Sequence, residues 1–297
     1  MYHVPALLNE CIEGLNIQPK GIYVDTTFGG GGHSAAILTH LGKGKLIAFD
    51  QDINAKENLP DDKRLLFLNQ NFRFLKNNLR YAGFTSIDGL IADLGVSFHQ
   101  FDEPDRGFSF RFDTPLDMRM NRASGRTAAE ILNTYSVGDL DRVLREYGEL
   151  KRTWKMAESL VATRSVKPFS TTGDLLEGVK NFTPAKTAIK FYAQLFQALR
   201  IEVNREMEYL KEMLLQALDI LNPGGRMVVI TYHSLEDRIV KNFFRSGNFD
   251  GIENKDFYGN ISTPFRLINR KVIVPTAEEL AKNSRARSAK LRVAEKI

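Results

Sequence analysis

The segment of this chain whose residue types could most directly do chemistry is Asp25-Thr26-Thr27-Phe28-Gly29-Gly30-Gly31-Gly32-His33-Ser34. Four consecutive glycines carry a large entropic cost, so such a run is expected where backbone must turn sharply or lie against a ligand. A second carboxylate, Asp50, follows 19 residues beyond Gly31. A strand, a glycine turn and a helix start present N–H groups to a nucleotide, and an acid at the end of the next strand accepts hydrogen bonds from both ribose hydroxyls. Dinucleotide enzymes close this fingerprint with Gly or Ala, where this chain has Ser34. Asp25, just before the loop, suits a ligand that carries an ammonium group. Together these features favour S-adenosylmethionine over NAD, with a nicotinamide-dependent dehydrogenase as the competing reading.

Three further groups bear on chemistry. Asp93 ends an apolar segment and opens Asp93-Leu94-Gly95-Val96-Ser97. A carboxylate there can accept hydrogen bonds from a reacting amine. The only cysteine, Cys11, sits at an apolar position of a helical pattern and reads as core packing, which leaves no thiolate nucleophile. His3, His33, His40, His99 and His233 are scattered, and no spacing among them has the form of a metal site. His233 opens His-Ser-Leu-Glu-Asp-Arg just after a predicted strand, and we read it as lining the site.

Parallel strands would bring these groups together. Residues 21–27, 45–50, 64–68, 87–94 and 226–231 read as buried strands, with helical patterns at 34–41 and 234–245. Residues 267–274 read as a late strand. Alternation of this kind predicts a parallel sheet with helices on both faces. Residues 95–126 break the pattern. They have no clear period but carry five phenylalanines, which favour a functional loop over disorder. These rings would be core or would stack a flipped base. Residues 127–181 look helical, with N-cap starts at Ser136 and Thr171. A long helical pattern runs over 186–222, with room for one break, and stops at Pro223-Gly224-Gly225. We therefore expect one discontinuous domain, 1–121 with 200–297, and a helical insert over 122–199.

Composition narrows the setting. No stretch of about 18 uninterrupted apolar residues is present, and the first residues lack a secretory pattern, so a cytoplasmic protein is expected. The formal net charge of +5 resides in residues 282–297, which hold six basic side chains and one acid. Such a tail either meets a polyanion or is a solvated terminus. Arg106, Arg119, Arg122, Arg285, Arg287 and Lys290 are the candidate phosphate contacts.

Several strings, taken in order, are far more specific than the glycine loop: HVPALL, YVDTTFGGGGHS, FDQD, DGLIADLGVS, RGFSFRFDTPLDMRMN, FQALRIEVN, TYHSLEDRIVK and NSRARSAKLRVAEK. Through them the chain resembles, over nearly its full length, the bacterial 16S rRNA cytosine-N4 methyltransferases (MraW-like proteins). The resemblance implies a class I S-adenosylmethionine-dependent methyltransferase, with a Rossmann-like, mostly parallel sheet and a helical insert for RNA recognition. The implied activity is methylation of the exocyclic N4 of a decoding-site cytidine (position 1402) of 16S rRNA in the small ribosomal subunit. The implied cofactor contacts are Gly31, Gly32, His33, Asp50, Phe72, Asp93 and Gln100. Asp93 and His233 are the candidate catalytic residues, and no metal is expected. The chain departs from the family pattern at Phe98, at residues 190–194 (KFYAQ) and at Ser284. A non-catalytic RNA-binding or assembly factor is the remaining alternative, and the intact glycine loop with Asp50 argues against it.

Overall fold

Strands β1 (Ile22–Asp25), β2 (Lys45–Phe49), β3 (Leu65–Leu68), β4 (Ile87–Asp93) and β5 (Leu221–Thr231) lie parallel in the order β3-β2-β1-β4-β5. Successive side chains of a strand point to opposite faces. Leu46, Ile91, Val228 and Ile230 accordingly enter one core, and Ile47, Leu90, Ala92 and Val229 enter another. Both faces are apolar, so both must be covered. Helices α1 (Leu8–Leu15) and α2 (Gly32–His40) cover the first through Cys11, Leu15, Ile37 and Leu38. Helix α3 (Leu75–Tyr81) and the helices Glu206–Ile220 and Ser234–Ser246 cover the second through Leu75, Met213, Leu214, Ala217, Val240 and Phe243. This is the mostly parallel, two-sided sheet that the strand and helix pattern predicts.

The computed structural model describes residues 5–96, 101, 103–255, 257–259 and 261–297. The chain divides into two compact units, Met1–Gly95 with Met207–Ile297, and Val96–Glu206. The division falls at 96 and 206 rather than at the expected 122 and 199. The reason is packing: Phe108, Leu116, Met118 and Met120 are buried in the core of the second unit, with Ile131, Leu144, Met156, Leu195 and Leu199. The long 186–222 pattern divides at Arg205, whose positive φ of 51° ends the helix Ala188–Asn204. Within the second unit, Thr127, Ser136 and Thr171 each form a capping box with an acid three residues on, which fixes the starts of three helices.

The sheet ends differently from the expectation. After a short hairpin, β6 (Asn254–Lys255) with β7 (Ile261–Ser262), strand β8 is only Phe265–Leu267, and Ile273 makes an isolated bridge to Leu291. The strand beside β5 is β9 (Lys290–Lys296), antiparallel to both β5 and β8. Its sequence, KLRVAEK, hides an apolar face among charges: Leu291, Val293 and Ala294 are buried.

Candidate active site

Three carboxylates stand at the carboxyl ends of adjacent parallel strands. Asp25 closes β1, Asp50 follows β2 and Asp93 closes β4. In open α/β sheets this edge is where ligands bind. Asp25 is buried, accepting the Thr27 N–H at 3.0 Å and the Ser34 hydroxyl at 2.7 Å. A carboxylate so enclosed braces the glycine loop against α2, and direct contact with a ligand's ammonium group, which the sequence favoured, is not what its surroundings provide.

Asp50 is placed differently. Its Oδ2 accepts the Gly29 N–H and its Oδ1 the Asp52 N–H, each at 2.8 Å. A carboxylate has about four acceptor positions, so roughly one remains on each oxygen for a pair of ligand hydroxyls. Burial pushes its pKa up to about 6, against the pull of the two backbone donors. Asp93 receives the Tyr232 hydroxyl on Oδ1 at 2.8 Å, and its own N–H donates to Thr27 Oγ1 at 2.7 Å. Its Oδ2 lies 3.8 Å from His33 Nδ1. Burial holds the Asp93 carboxyl above the usual carboxylate range, with His33 and the Tyr232 hydroxyl opposing. Burial raises Asp25 as well, and Asp25 in turn raises the other two. Desolvated carboxylates that repel one another favour a cationic ligand.

The four glycines do different jobs. Gly29 and Gly31 have φ of +49° and +74°, and Gly31 caps the start of α2. A Cβ on Gly32 would sit 2.2 Å from Pro5 Cγ. Gly30 has no such reason to be glycine: a Cβ there meets nothing within 4 Å. Its bare backbone faces open space beside Asp50, a cradle that a side chain would fill. Open backbone, a helix start and clustered acids together suit a ligand with ribose hydroxyls and positive charge.

His33 is buried, and its Nε2 lies 3.1 Å from the Ala6 carbonyl, so its ring is engaged within the protein. Phe72 is half-buried and begins a 3-10 turn (Phe72–Phe74) after β3, beside the Asn71–Gln51 hydrogen bond of 2.6 Å. Gln100 lies outside the described residues. His233 precedes the helix Ser234–Ser246 at the end of β5, with its side chain 9% exposed. Neither ring nitrogen makes a hydrogen bond among the described residues, although Nε2 is 3.1 Å from Glu236 Oε1. The imidazole is thus held beside the Glu236 carboxylate at the start of that helix. Cys11 is fully buried, and burial raises its thiol well above the ordinary range, which removes it as a nucleophile.

The model of the MraW methylase family matches residues 1–297, the whole chain. The chain belongs to the MraW methylase family. It is a methyltransferase. It is 59% identical over 298 residues to the ribosomal RNA small subunit methyltransferase H of Parabacteroides distasonis, covering 100% of this chain and 98% of that protein. The protein of the same name from Phocaeicola vulgatus is 55% identical over 297 residues, with 100% and 98% covered. Among solved structures, a putative rRNA-methylase of Clostridium thermocellum aligns over 100% of both chains, with 13% identity and a TM-score of 0.44.

Much of what is distinctive in this MraW-family sequence builds the second unit. Arg106 is only 3% exposed, and its Nη2 donates to the carbonyls of Arg119 (3.1 Å) and Met120 (3.0 Å). It ties RGFSF to PLDMRM and is not available to phosphate, contrary to expectation. A Cβ on Gly107 would lie 2.4 Å from the Pro115 carbonyl oxygen. Asn204, which ends FQALRIEVN, accepts the Met120 N–H at 2.8 Å and donates to the Met118 carbonyl at 2.8 Å. Of the phenylalanines, Phe108 is core and Phe110 packs on Tyr192 and Phe196, whereas Phe101 and Phe112 are exposed. Phe98 lies outside the described residues.

Arg119 is half-buried and paired with Asp117 at 2.7 Å, and exposed Arg122 lies 3.6 Å from the same carboxylate. The basic tail is likewise partly structural. Arg292 pairs with Asp237 at 2.7 Å, and Lys296 caps the carbonyls of Leu218 and Leu221 at 2.6 and 2.7 Å. Arg285 and Arg287 are exposed on a 3-10 turn (Ser284–Ser288), and Lys290 is half-exposed, 3.7 Å from Asp237. Sequence reasoning missed Tyr232, Thr27 and Glu236. Tyr232 and Thr27 gave no signal because each acts through Asp93 on another strand, and Glu236 serves the Tyr232 N–H just before its own helix.

Proposed function

We propose that this protein transfers a methyl group from S-adenosylmethionine to the exocyclic N4 of a cytidine in the 16S rRNA of the small ribosomal subunit, the decoding-site position implied by its sequence. The single observation that carries the reading is Asp93, a half-buried, hydrogen-bonded carboxylate at the end of β4 in a member of the MraW methylase family. The relatives' name, ribosomal RNA small subunit methyltransferase H, supports RNA as the substrate. The group fits the residues present, since the loop at Gly30 leaves room and the three acids favour its positive charge. S-adenosylmethionine, when bound, supplies an electrophilic methyl group on sulfur. Asp50 would hold its ribose hydroxyls, and Gly31, Gly32, the backbone of His33, Phe72 and Gln100 would line its site.

The chain's own residues then act on the amine. A cytosine amine is a poor nucleophile because its lone pair is spread into the ring. An Asp93 oxygen that accepts its N–H pulls the nitrogen toward pyramidal geometry and takes the proton that must leave as the new N–C bond forms. His233 lines the same strand edge. Exposed Arg122, Arg285 and Arg287, half-buried Arg119 and half-exposed Lys290 serve as phosphate contacts, and the helical unit serves RNA recognition in a cytoplasmic setting. No helix of the described residues is long and apolar enough to cross a membrane.

Mass spectrometry of nucleosides tests the reading, using 16S rRNA from cells with and without the protein. N4-methylated cytidine must disappear in its absence and return with purified enzyme. In the Asp93→Asn variant, turnover should fall while S-adenosylhomocysteine affinity is retained. A parallel loss of affinity would make Asp93 a cofactor ligand only, and 5-methylcytidine as sole product would refute attack by the amine.

A further inference from the structure

The proton released by the amine needs somewhere to go. The Asp93 side chain is 25% exposed and lies against the more buried His33, at 7%. Among the described residues beside Asp93 is a group able to take a proton, the imidazole of His33.

The geometry of His33 sets its tautomer. Nε2 lies 3.1 Å from the carbonyl oxygen of Ala6, and a carbonyl only accepts. Nε2 therefore carries hydrogen. In the neutral ring Nδ1 is then a bare acceptor, and it is Nδ1 that points at Asp93 Oδ2, 3.8 Å away. Two acceptors face each other across a gap that a single proton would bridge. On the far side, Tyr232 donates to Asp93 Oδ1 at 2.8 Å, which fixes the carboxylate and leaves Oδ2 toward the histidine. Among the described residues, Asp25 and Glu236 are the other charged groups that act on Asp93, and Asp93 acts on the Cys11 thiol. Asp25 is spent on Thr27 and Ser34, Glu236 accepts the Tyr232 N–H at 2.9 Å, and the Cys11 thiol is kept protonated by burial.

We propose that Asp93 and His33 form a proton relay for methyl transfer, with Tyr232 as the positioning residue. The inference rests on the reading of Asp93 as acceptor of the amine. As the N–C bond forms, the amine's N–H bond breaks and its proton passes to Asp93, which hands it to Nδ1 of His33. The carboxylate is regenerated and the imidazole becomes imidazolium, held by Asp93 on one side and the Ala6 carbonyl on the other. The 3.8 Å gap must shorten by about an ångström in the working complex, as catalytic contacts commonly do on substrate binding. This relay explains a buried histidine in a glycine loop whose cofactor contacts are otherwise made by backbone.

Two measurements test it. In the wild-type protein with ¹⁵N-labelled histidine and no cofactor, NMR at pH 9 should show His33 with hydrogen on Nε2 and none on Nδ1. Hydrogen on Nδ1 would overturn the relay irrespective of any variant. The second is His33→Gln, which retains a donor toward the Ala6 carbonyl but has no basic nitrogen. Its S-adenosylhomocysteine affinity should stay within about twofold of wild type. Its single-turnover methylation rate on small-subunit particles should drop at least tenfold, and the acid limb of its pH profile should move to lower pH, where Asp93 alone holds the proton. An unchanged rate and acid limb in a folded His33→Gln protein would refute the relay. The wild-type nucleoside product separates the two ideas: if it is N4-methylcytidine, the reading of the reaction stands whatever His33→Gln does.

Discussion

The raised pKa of Asp50 makes cofactor affinity depend on pH in a calculable way. The group is held at about 6 by burial, above its ordinary value of 3.8. Below pH 6 the unliganded site keeps a proton that competes with the ribose hydroxyls, so apparent affinity scales with the ionised fraction. That fraction falls from about nine-tenths at pH 7 to about one-tenth at pH 5, and affinity should fall about tenfold. The stability of the unliganded fold runs the opposite way. A carboxyl whose folded pKa is raised contributes stability fully below about pH 4 and loses it as pH rises through 6, by about 3 kcal/mol. Titration calorimetry with S-adenosylhomocysteine from pH 5 to 7, in two buffers of different ionisation enthalpy, reads both the affinity and the proton released. In Asp50→Asn the slope should vanish and affinity at pH 7 should be about 10- to 100-fold weaker, the loss of hydrogen bonds to a charged acceptor. Asp25 and Asp93 are also raised, so the variant is the decisive arm. A wild-type affinity constant within threefold across this range, or a full slope surviving in Asp50→Asn, would show that Asp50 does not face the ligand.

Other expectations follow from the loop, the buried arginine and the last strand. Gly30→Ala should leave the melting temperature unchanged but weaken S-adenosylhomocysteine at least tenfold, because its Cβ meets no protein atom within 4 Å; unaltered calorimetric affinity would mean that the loop does not touch the cofactor. Arg106→Ala should destabilise the helical unit by roughly 1.5–3 kcal/mol for each carbonyl left without its charged donor, measured by urea unfolding, and an unchanged midpoint with weakened RNA binding would restore the phosphate role. Arg285→Glu with Arg287→Glu should keep the fold and flatten the salt dependence of RNA binding by about 0.7–0.9 per lost contact. Leu291→Ala, by contrast, should cost about 2–5 kcal/mol of stability, since Leu291 is buried in β9; filter binding across salt concentrations and a denaturation curve separate the two effects.

The parallel core was legible because its signals are local. Residues 45–50 and 87–94 are short apolar runs buried on both faces, and the capping boxes at Ser136 and Thr171 lie within four residues of chain. Strand β9 was not legible for a physical reason. Lys290, Arg292, Glu295 and Lys296 mask an alternation that becomes apolar only when β5 and β8 flank it, and two of those charges are held by Asp237 and by Arg226 at 2.7 and 3.0 Å. Local charge density cannot distinguish a tail that meets a polyanion from a strand whose charges find partners on its neighbours.

The site shows the same division between what is local and what depends on register. The glycine loop and Asp50 were readable because a strand-turn-helix unit needs only adjacent sequence. Tyr232 was not, since its partner Asp93 lies 139 residues away and the two meet only because β4 and β5 pair with Asp93 opposite Ile230. Recognisable strings mislead in the other direction. RGFSF and PLDMRM identify the family, yet Arg106, Gly107 and Met118 are spent on holding one string against the other, with Asn204 closing the same knot. A buried arginine that satisfies two carbonyls is as hard to replace as one that grips a phosphate, so a rare and specific motif marks a constraint without saying whether the constraint is structural or chemical. The distinction here comes from solvent and partners: Asp50 retains acceptor positions and Gly30 retains open space, whereas Arg106 retains little exposure.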